Sequence, residues 1–231
     1  MQPLNNPAWH ALNSVDSRFN LGDKIAGYFP ADVCPFAALP DWNKEMQQYL
    51  YDKLPAERSW SVMQKDPVTF SALWDLRFSL GLHQMVCKDL LPVTIENIDC
   101  RPLDTTHVPA MIELTTQTKP GPFMERTIGF GNYYGVFEED KLVAITGERL
   151  HLDHYTEVSA VCTSPEHTGK GYGAFLVSLA ADRIIKSGKT PFLHVRADNH
   201  RAIKMYERLG FTHRSDIYFG VFKRRQNIQT A

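Results

Sequence analysis

The chain has 231 residues, of which 43% are hydrophobic and 22% are charged, and its formal net charge is −1. These values are typical of a folded globular protein, and the balanced charge argues against a general nucleic-acid partner. The sequence has no apolar run of the roughly 18 residues that a membrane helix needs and starts without the pattern of a signal peptide, so we expect a cytoplasmic protein with no membrane partner.

The first part of the chain, residues 1–94, predicts a smaller α+β lobe. The pattern changes around Leu90, Leu91 and Pro92, which places a boundary before a second domain at residues 95–231. Helical patterns lie at residues 6–12 and 42–50, and strand-like patterns lie at residues 59–63 and 82–87.

From residue 97 onward, strand and helix patterns alternate, which predicts an α/β fold with a mixed sheet. A buried strand, a helix and another strand within residues 156–196 form a parallel crossover, where we expect the functional site. Asp104 and Asn199 are predicted to cap helices, and Gly188 and Gly210 to end them. The remaining elements are strands at 97–101, 133–137 and 142–146, a helix reaching residue 114, and strands from residue 211.

A glycine-rich turn, PEHTGKGYG at residues 165–173, lies between that buried strand and the following helix. Glycines let backbone N–H groups approach a ligand, and a helix N-terminus adds positive partial charge, so the turn suits a phosphate or pyrophosphate. A P-loop requires Ser or Thr after Gly-Lys, but Gly171 follows Gly169-Lys170. The dinucleotide fingerprint G-x-G-x-x-G also fails, because the glycines up to Gly173 run G-x-G-x-G. These failures disfavour a nucleotide-binding protein, while a merely flexible loop stays open.

A second segment, NHRAIKMYERLGF at residues 199–211, follows the turn, and the pair resembles the GNAT superfamily of acyl-CoA-dependent N-acetyltransferases. The resemblance covers about residues 95–223, and the segments at 118–123, 147–149 and 155–163 further resemble a bacterial branch related to glycine N-acyltransferases. It implies a GNAT fold and transfer of an acetyl group from acetyl-CoA to a primary amine by direct attack in a ternary complex, with no metal.

The resemblance also implies the residues that hold coenzyme A. The backbone around Val161 and Thr163 would pair with the pantetheine arm, and the turn would bind the pyrophosphate. Thr168 departs from the family pattern, which has Arg or Gln there, and Lys170 could supply the missing charge. Asn199 would contact the coenzyme or only cap its helix. The full set is Val161, Cys162, Thr163, Thr168, Gly169, Lys170, Gly171, Tyr172, Gly173 and Asn199.

Glu157 is the candidate general base. An alkylamine is mostly protonated at neutral pH, since its pKa is near 10.4, so a group must accept a proton before the amine attacks. A carboxylate half buried in a strand, with a raised pKa, could do so directly or through water. The alternative is a structural ion pair with Arg149.

Tyr206 is the candidate general acid for the departing thiolate. A phenol with a pKa of about 10 matches a thiol with a pKa near 8.5 well enough for proton transfer, provided that the hydroxyl reaches the sulfur. The alternative is a core tyrosine on the apolar face of its helix.

The acceptor cannot be identified from the sequence, and we expect a small-molecule or peptide amine. Phe123 and Arg126, in the loop after the first helix of the second domain, are the predicted acceptor-binding residues, and the N-terminal lobe would close over them. A non-catalytic acyl-CoA-binding or regulatory module is the alternative function, and a homodimer stays open.

Several other residues indicate structural roles. His151 and His154 have a partial metal-ligand spacing, but no further ligand follows at a suitable distance, so no metal site is predicted. His194 alternates with apolar residues and predicts a hydrogen-bonded core histidine. Four widely spaced cysteines predict reduced, mostly buried thiols, and Cys162 among them is expected to be inert.

Overall fold

The computed structural model describes residues 2–225. Within that range no helix is both long and apolar enough to cross a membrane. The helices are α1 (Pro7–Leu12), α2 (Lys44–Lys53), α3 (Val108–Thr118), α4 (Tyr172–Lys186) and α5 (His200–Arg208). The strands are β1 (Gly27–Tyr28), β2 (Ala37–Ala38), β3 (Trp60–Gln64), β4 (Trp74–Cys87), β5 (Asp99–Pro102), β6 (Tyr134–Glu138), β7 (Lys141–His151), β8 (Tyr155–Thr163), β9 (Thr190–Arg196) and β10 (Phe211–Arg224).

One mixed sheet of eight strands organises the molecule, in the order β3-β10-β4-β9-β8-β7-β6-β5. Adjacent strands of this sheet are antiparallel except β8 and β9, which run parallel and are joined by α4. The predicted mixed α/β sheet with a parallel crossover is therefore confirmed. Strands β1 and β2 form a separate antiparallel pair.

Strand β4, from the N-terminal part of the chain, lies between β9 and β10. It pairs antiparallel with β9 from Leu82↔Arg196 to Val86↔Phe192, and with β10 along most of its length. The predicted boundary between residues 94 and 95 stays a prediction, and strands from both sides of it hydrogen-bond within this one sheet.

The two parallel strands separate soon after they meet. Their pairing ends at Glu157↔Phe192, after which β8 continues to Thr163 along β7 while β9 continues along β4. A bulge at Ala160, whose φ of 53° is in the left-handed region, shifts the register of β8 on β7. The β9-facing edge of β8 beyond Glu157 is thus left without a strand partner among the described residues.

The sheet is covered on both faces because alternate residues of its strands point to opposite sides. Phe192 faces a core formed with α1 and the N-terminal segments, whereas Leu193 and Val195 face a core formed with α4 and α5. Buried residues of the second core include Met85, Val158, Val177, Ala181, Tyr206 and Phe211.

Candidate active site

The glycine-rich turn leads directly into α4. Gly169 and Gly171 have φ of 89° and 86°, a conformation that residues with a side chain avoid. Gly171 is the N-cap of α4, and within residues 2–225 no side chain caps this end. The first N–H groups of α4 are therefore left for another partner, and an anion is favoured there by the helix dipole.

Lys170, in this turn, forms an ion pair with Glu138. Its Nζ lies 2.6 and 2.8 Å from the two carboxylate oxygens of Glu138, at the end of β6, and the Tyr172 hydroxyl donates to the same carboxylate. These hydrogen bonds, that of Lys170 first, lower the pKa of Glu138. The Thr168 hydroxyl donates to the carbonyl of Pro165 at 3.0 Å. That Lys170 supplies the charge missing at Thr168 stays a prediction.

The end of β8 lies beside the starts of the covering helices. A Cβ added to Gly173 would lie 3.6 Å from Thr163 Oγ1 and 3.7 Å from Met205 Sδ. Cys162 is buried, and burial raises the pKa of its thiol to about 11, which keeps it protonated and unreactive. The fold therefore brings together the turn, the end of β8 and the α5 residues next to Tyr206.

Tyr206 is packed from α5 into the second core. Its ring centroid is 6.0 Å from that of Phe211, and the residue is 7% exposed. No group among residues 2–225 hydrogen-bonds its hydroxyl, and burial raises the pKa of the phenol. Just before α5, the Asn199 side chain accepts from the backbone N–H of Ala202 at 3.2 Å, so the predicted helix cap is confirmed.

Glu157 forms a buried ion pair. Its two carboxylate oxygens accept from Arg149 Nη2 and Nε at 2.9 and 2.8 Å, and Oε1 lies 2.7 Å from His194 Nδ1. Burial alone would raise the pKa of this carboxyl, but Arg149 and His194 outweigh burial and lower it to about 2. The raised pKa predicted for Glu157 is therefore wrong, and the alternative pairing with Arg149 is what the structure contains.

His194 continues this interaction into the interior. Its side chain is 3% exposed, and its Nε2 lies 3.0 Å from the amide nitrogen of Gln84. The Gln84 amide also donates to the carbonyl of Leu4 and accepts from Arg214 at 2.6 Å. The prediction of a hydrogen-bonded core histidine is confirmed, and both ring nitrogens of His194 and both polar atoms of the Gln84 side chain have partners within residues 2–225.

A second buried cluster surrounds His151. Its Nδ1 lies 3.1 Å from Asp16 Oδ1, its Nε2 lies 3.0 Å from Glu148 Oε2, and its backbone N–H donates to Asp16 at 2.7 Å. Burial would lower the pKa of this imidazole, but the two carboxylates raise it to about 9. Sequence reasoning missed this cluster, because Asp16 and His151 are 135 positions apart.

Phe123 lines a cavity of about 320 Å³ formed by the end of α3 and the loop that follows it. Its ring meets that of Tyr133 edge-on, with 5.8 Å between centroids. Arg126 instead turns to the N-terminal segment, where its Nη1 lies 3.2 Å from Asp32 Oδ2 and its backbone N–H donates to the Asp32 carbonyl. The N-terminal segment is thus docked on the predicted acceptor loop.

The chain matches a known protein family and several curated acetyltransferases. The family described as FR47-like protein matches residues 133–219. The [ribosomal protein bS18]-alanine N-acetyltransferase of Escherichia coli K12 is 31% identical over 115 residues, which are 47% of this chain and 77% of that enzyme. Mycothiol acetyltransferase of Corynebacterium efficiens is 35% identical over 78 residues, 33% of this chain, and the match spans only 26% of that protein.

A solved structure matches almost the whole chain. It is a crystal structure of a protein assigned to the GNAT family of acetyltransferases in Novosphingobium aromaticivorans DSM 12444. The two chains are 28% identical with a TM-score of 0.90, and the match covers 98% of this chain and 100% of that one. The likeness therefore includes the N-terminal part, which the family match at residues 133–219 does not reach.

Proposed function

This chain belongs to the GNAT superfamily of N-acetyltransferases, and we propose that it transfers the acetyl group of acetyl-CoA to a primary amine by direct attack on the thioester in a ternary complex. One observation carries the proposal: an uncapped helix N-terminus faces the end of a strand whose edge has no partner within residues 2–225. Coenzyme A offers a matching chemistry, since it has a pyrophosphate and, beyond it, a pantetheine arm with two amides.

The coenzyme's contacts are mostly with the main chain in this proposal. The N–H groups of the turn from Thr168 to Gly173 bind the pyrophosphate, and the positive end of α4 adds to the attraction. The β8 backbone from Val161 to Thr163 pairs with the pantetheine amides as an added strand would. Glycine at positions 169 and 171 supports this assignment, because left-handed φ values aim successive N–H groups at one ligand.

Tyr206 donates the proton that the departing thiolate needs. Its hydroxyl has no hydrogen-bond partner among the described residues, so the proton is not committed elsewhere. Its position next to Met205, which is close to the end of β8 and the start of α4, supports this role. Burial raises the pKa of the phenol and widens its gap from the thiol, so proton transfer depends on close placement of the hydroxyl beside the departing sulfur.

Glu157 has a positioning role in this proposal. A carboxylate with a pKa of about 2 is a weak base, and its oxygens are already bonded to Arg149 and His194. Glu157 instead fixes these two side chains behind β8, where the strands separate. The amine then loses its proton to solvent before it attacks.

The acceptor reaches the thioester from the side of the Phe123 cavity, with Arg126 fixing the loop to the N-terminal segment. The Escherichia coli relative is named for the alanine of a ribosomal protein, so a peptide with an N-terminal alanine heads the panel of amines to assay for thiol release from acetyl-CoA. Release with any amine excludes the alternative, a non-catalytic acyl-CoA-binding module.

Thermal unfolding with ligands tests the coenzyme site. A ligand that binds only the folded chain stabilises it by about 2.7 kcal/mol at roughly 100 times its Kd. We expect coenzyme A and acetyl-CoA to raise the Tm, whereas ATP and NAD at equal concentration leave it unchanged.

A pair of glycine variants supplies the matched control. Gly169 and Gly188 both have positive φ, 89° and 81°, with open space where a Cβ would lie, but they flank opposite ends of α4. Both Gly169→Ala and Gly188→Ala should lower the Tm through backbone strain of about 1–2 kcal/mol. Only Gly169→Ala should also weaken the coenzyme response. Equal responses in both variants, or an equal shift with ATP, would contradict the assignment.

A further inference from the structure

Three potential metal ligands meet on the β4–β10 strand pair, outside the site described above. His83 Nδ1 lies 2.8 Å from Asp216 Oδ1, and His213 Nε2 lies 3.0 Å from the same oxygen. The three ligand atoms all lie within 4.8 Å of one another. The imidazole rings are perpendicular, with 4.8 Å between their centroids. One carboxylate oxygen thus serves as the meeting point of two imidazole nitrogens.

The strand register explains how these residues meet. Asp216 pairs directly with His83 across the two strands. His213 is three positions before Asp216, which in a regular strand would place it on the opposite face. The register shift between His213 and Ser215 adds one residue to β10 and turns His213 to the same face as Asp216. The bulge therefore completes the cluster.

We propose that His83, His213 and Asp216 bind a zinc ion, with an open position for water. Their side chains are 30%, 50% and 77% exposed, so an ion can reach them. Zinc binds imidazole nitrogens and carboxylate oxygens at about 2.0–2.2 Å, which in a tetrahedral site sets ligand atoms about 3.3 Å apart. Separations of 2.8 and 3.0 Å need only a small outward movement to admit the ion.

The ligand types select the metal. Two imidazoles and one carboxylate suit zinc and its neighbours in the first transition row, whereas magnesium prefers oxygen ligands alone. Any ring proton that now points at Asp216 moves to the other nitrogen of the same imidazole when the metal takes its place. The binding step needs no redox partner and no other reactant.

Bound zinc would link β4 and β10 at the bulge. Ligands from both strands would hold the N-terminal strand against the C-terminal one, so zinc should raise the Tm of the full chain. This proposal does not depend on acetyl transfer, and its failure would leave the proposed function unaffected.

Calorimetric titration with zinc chloride, in a buffer that does not chelate metal, tests the site. We expect one zinc ion per full-length chain, a rise in Tm, and no binding of magnesium under the same conditions. His213→Gln and Asp216→Asn should each weaken zinc binding at least tenfold and remove the Tm rise. His200→Gln, which changes an exposed histidine on α5, should retain both.

Cobalt(II) provides a second readout, because its visible absorption reports imidazole and carboxylate ligation directly. Circular dichroism should show that the exposed substitutions leave the fold intact. The proposal is overturned if the chain binds no zinc at millimolar concentration. It is also overturned if zinc binds His213→Gln and Asp216→Asn as tightly as it binds the unaltered chain.

Discussion

The two sides of the candidate active site differ in how they are built. The proposed coenzyme side consists of the turn from Thr168 to Gly173 and the end of β8, and it presents main-chain groups that have no capping side chain or strand partner within residues 2–225. The interior side presents ionised side chains that are all paired: Arg149 and Glu157 are buried, and His151 is mostly buried. The main-chain groups of the first side are available within the described residues, whereas the charged side chains of the second are already paired.

We therefore expect ligand binding to depend mainly on the first side and folding stability mainly on the second. Substitutions on the proposed coenzyme side that leave the backbone conformation unstrained should change ligand binding more than folding, because main-chain groups with no partner within residues 2–225 contribute little to the folded state. Substitutions on the interior side should change folding first, because each leaves a charge buried without its partner. The following predictions test that division.

The largest effect is expected from Glu157→Gln. The substitution keeps the shape of the side chain but leaves the Arg149 guanidinium buried without a counter-charge, which costs about 3–5 kcal/mol of unfolding free energy. Urea unfolding measures the loss. Asp99→Asn, which breaks an exposed pair with Arg101, should cost far less because solvent screens the pair.

The pH dependence sharpens this test. The folded-state pKa of Glu157 is lowered from 4.5 to about 2, so its stabilisation is present above pH 4.5 and is lost as the pH falls toward 2. In the proposed reaction the amine loses its proton to solvent and not to Glu157. The acidic limb of the kcat/KM profile, where activity falls because the amine is protonated, should therefore persist in Glu157→Gln. If that limb disappears while the variant stays folded, Glu157 is the general base after all.

The next effect concerns His151, whose pKa is raised from 6.5 to about 9. The stabilisation from its charged form is fully present below pH 6.5 and is lost as the pH rises through 9, to the extent of about 3 kcal/mol. Unfolding measured at pH 6 and pH 9.5 should show this loss, and His151→Asn should lack it. An equal pH dependence in both proteins would assign the loss to other groups.

The smallest free-energy change is expected from Tyr206→Phe, and it should affect turnover rather than folding. Loss of the phenolic proton should lower kcat at least tenfold, equivalent to about 1.4 kcal/mol, with acetyl-CoA affinity within about threefold. Steady-state kinetics and coenzyme titration measure the two quantities. Tyr49→Phe breaks a 2.7 Å hydrogen bond to Asp23 on the N-terminal part of the chain and should leave kcat unchanged. Equal kcat values in both variants would reduce Tyr206 to a core residue.

The local elements of the proposed coenzyme side were predictable from the sequence because their signals are local. The glycines at 169 and 171, the helix that follows them and the Asn199 cap are each specified within a few positions of the chain. The GNAT resemblance then joined two such segments, and the comparisons confirm the family. The predicted contacts of these residues with coenzyme A stay predictions.

The interior side was predictable only in part. The pair of Glu157 with Arg149, eight positions away, was an alternative from the sequence, whereas other partners are distant along the chain. Asp16 contacts His151 across 135 positions. Outside this site, the exposed pair of His83 and Asp216 spans 133 positions. The pKa of Glu157 was predicted in the wrong direction because periodicity indicates burial but does not show that Arg149, with His194 beside it, holds both carboxylate oxygens. Burial and partner act with opposite signs on a carboxylate, so knowing burial alone is insufficient.

The position of β4 between β9 and β10 has a consequence for how the protein is made. Thr212 of β10 and Val86 of β4 are 126 positions apart, yet they lie side by side in the finished sheet. During translation the β4 segment emerges well before β9 and β10. Its apolar residues therefore lack both of these strand partners until synthesis is nearly finished. Contacts of such long sequence separation slow folding and expose unpaired strand edges. The β4 edge is therefore open to aggregation until β9 and β10 have left the ribosome.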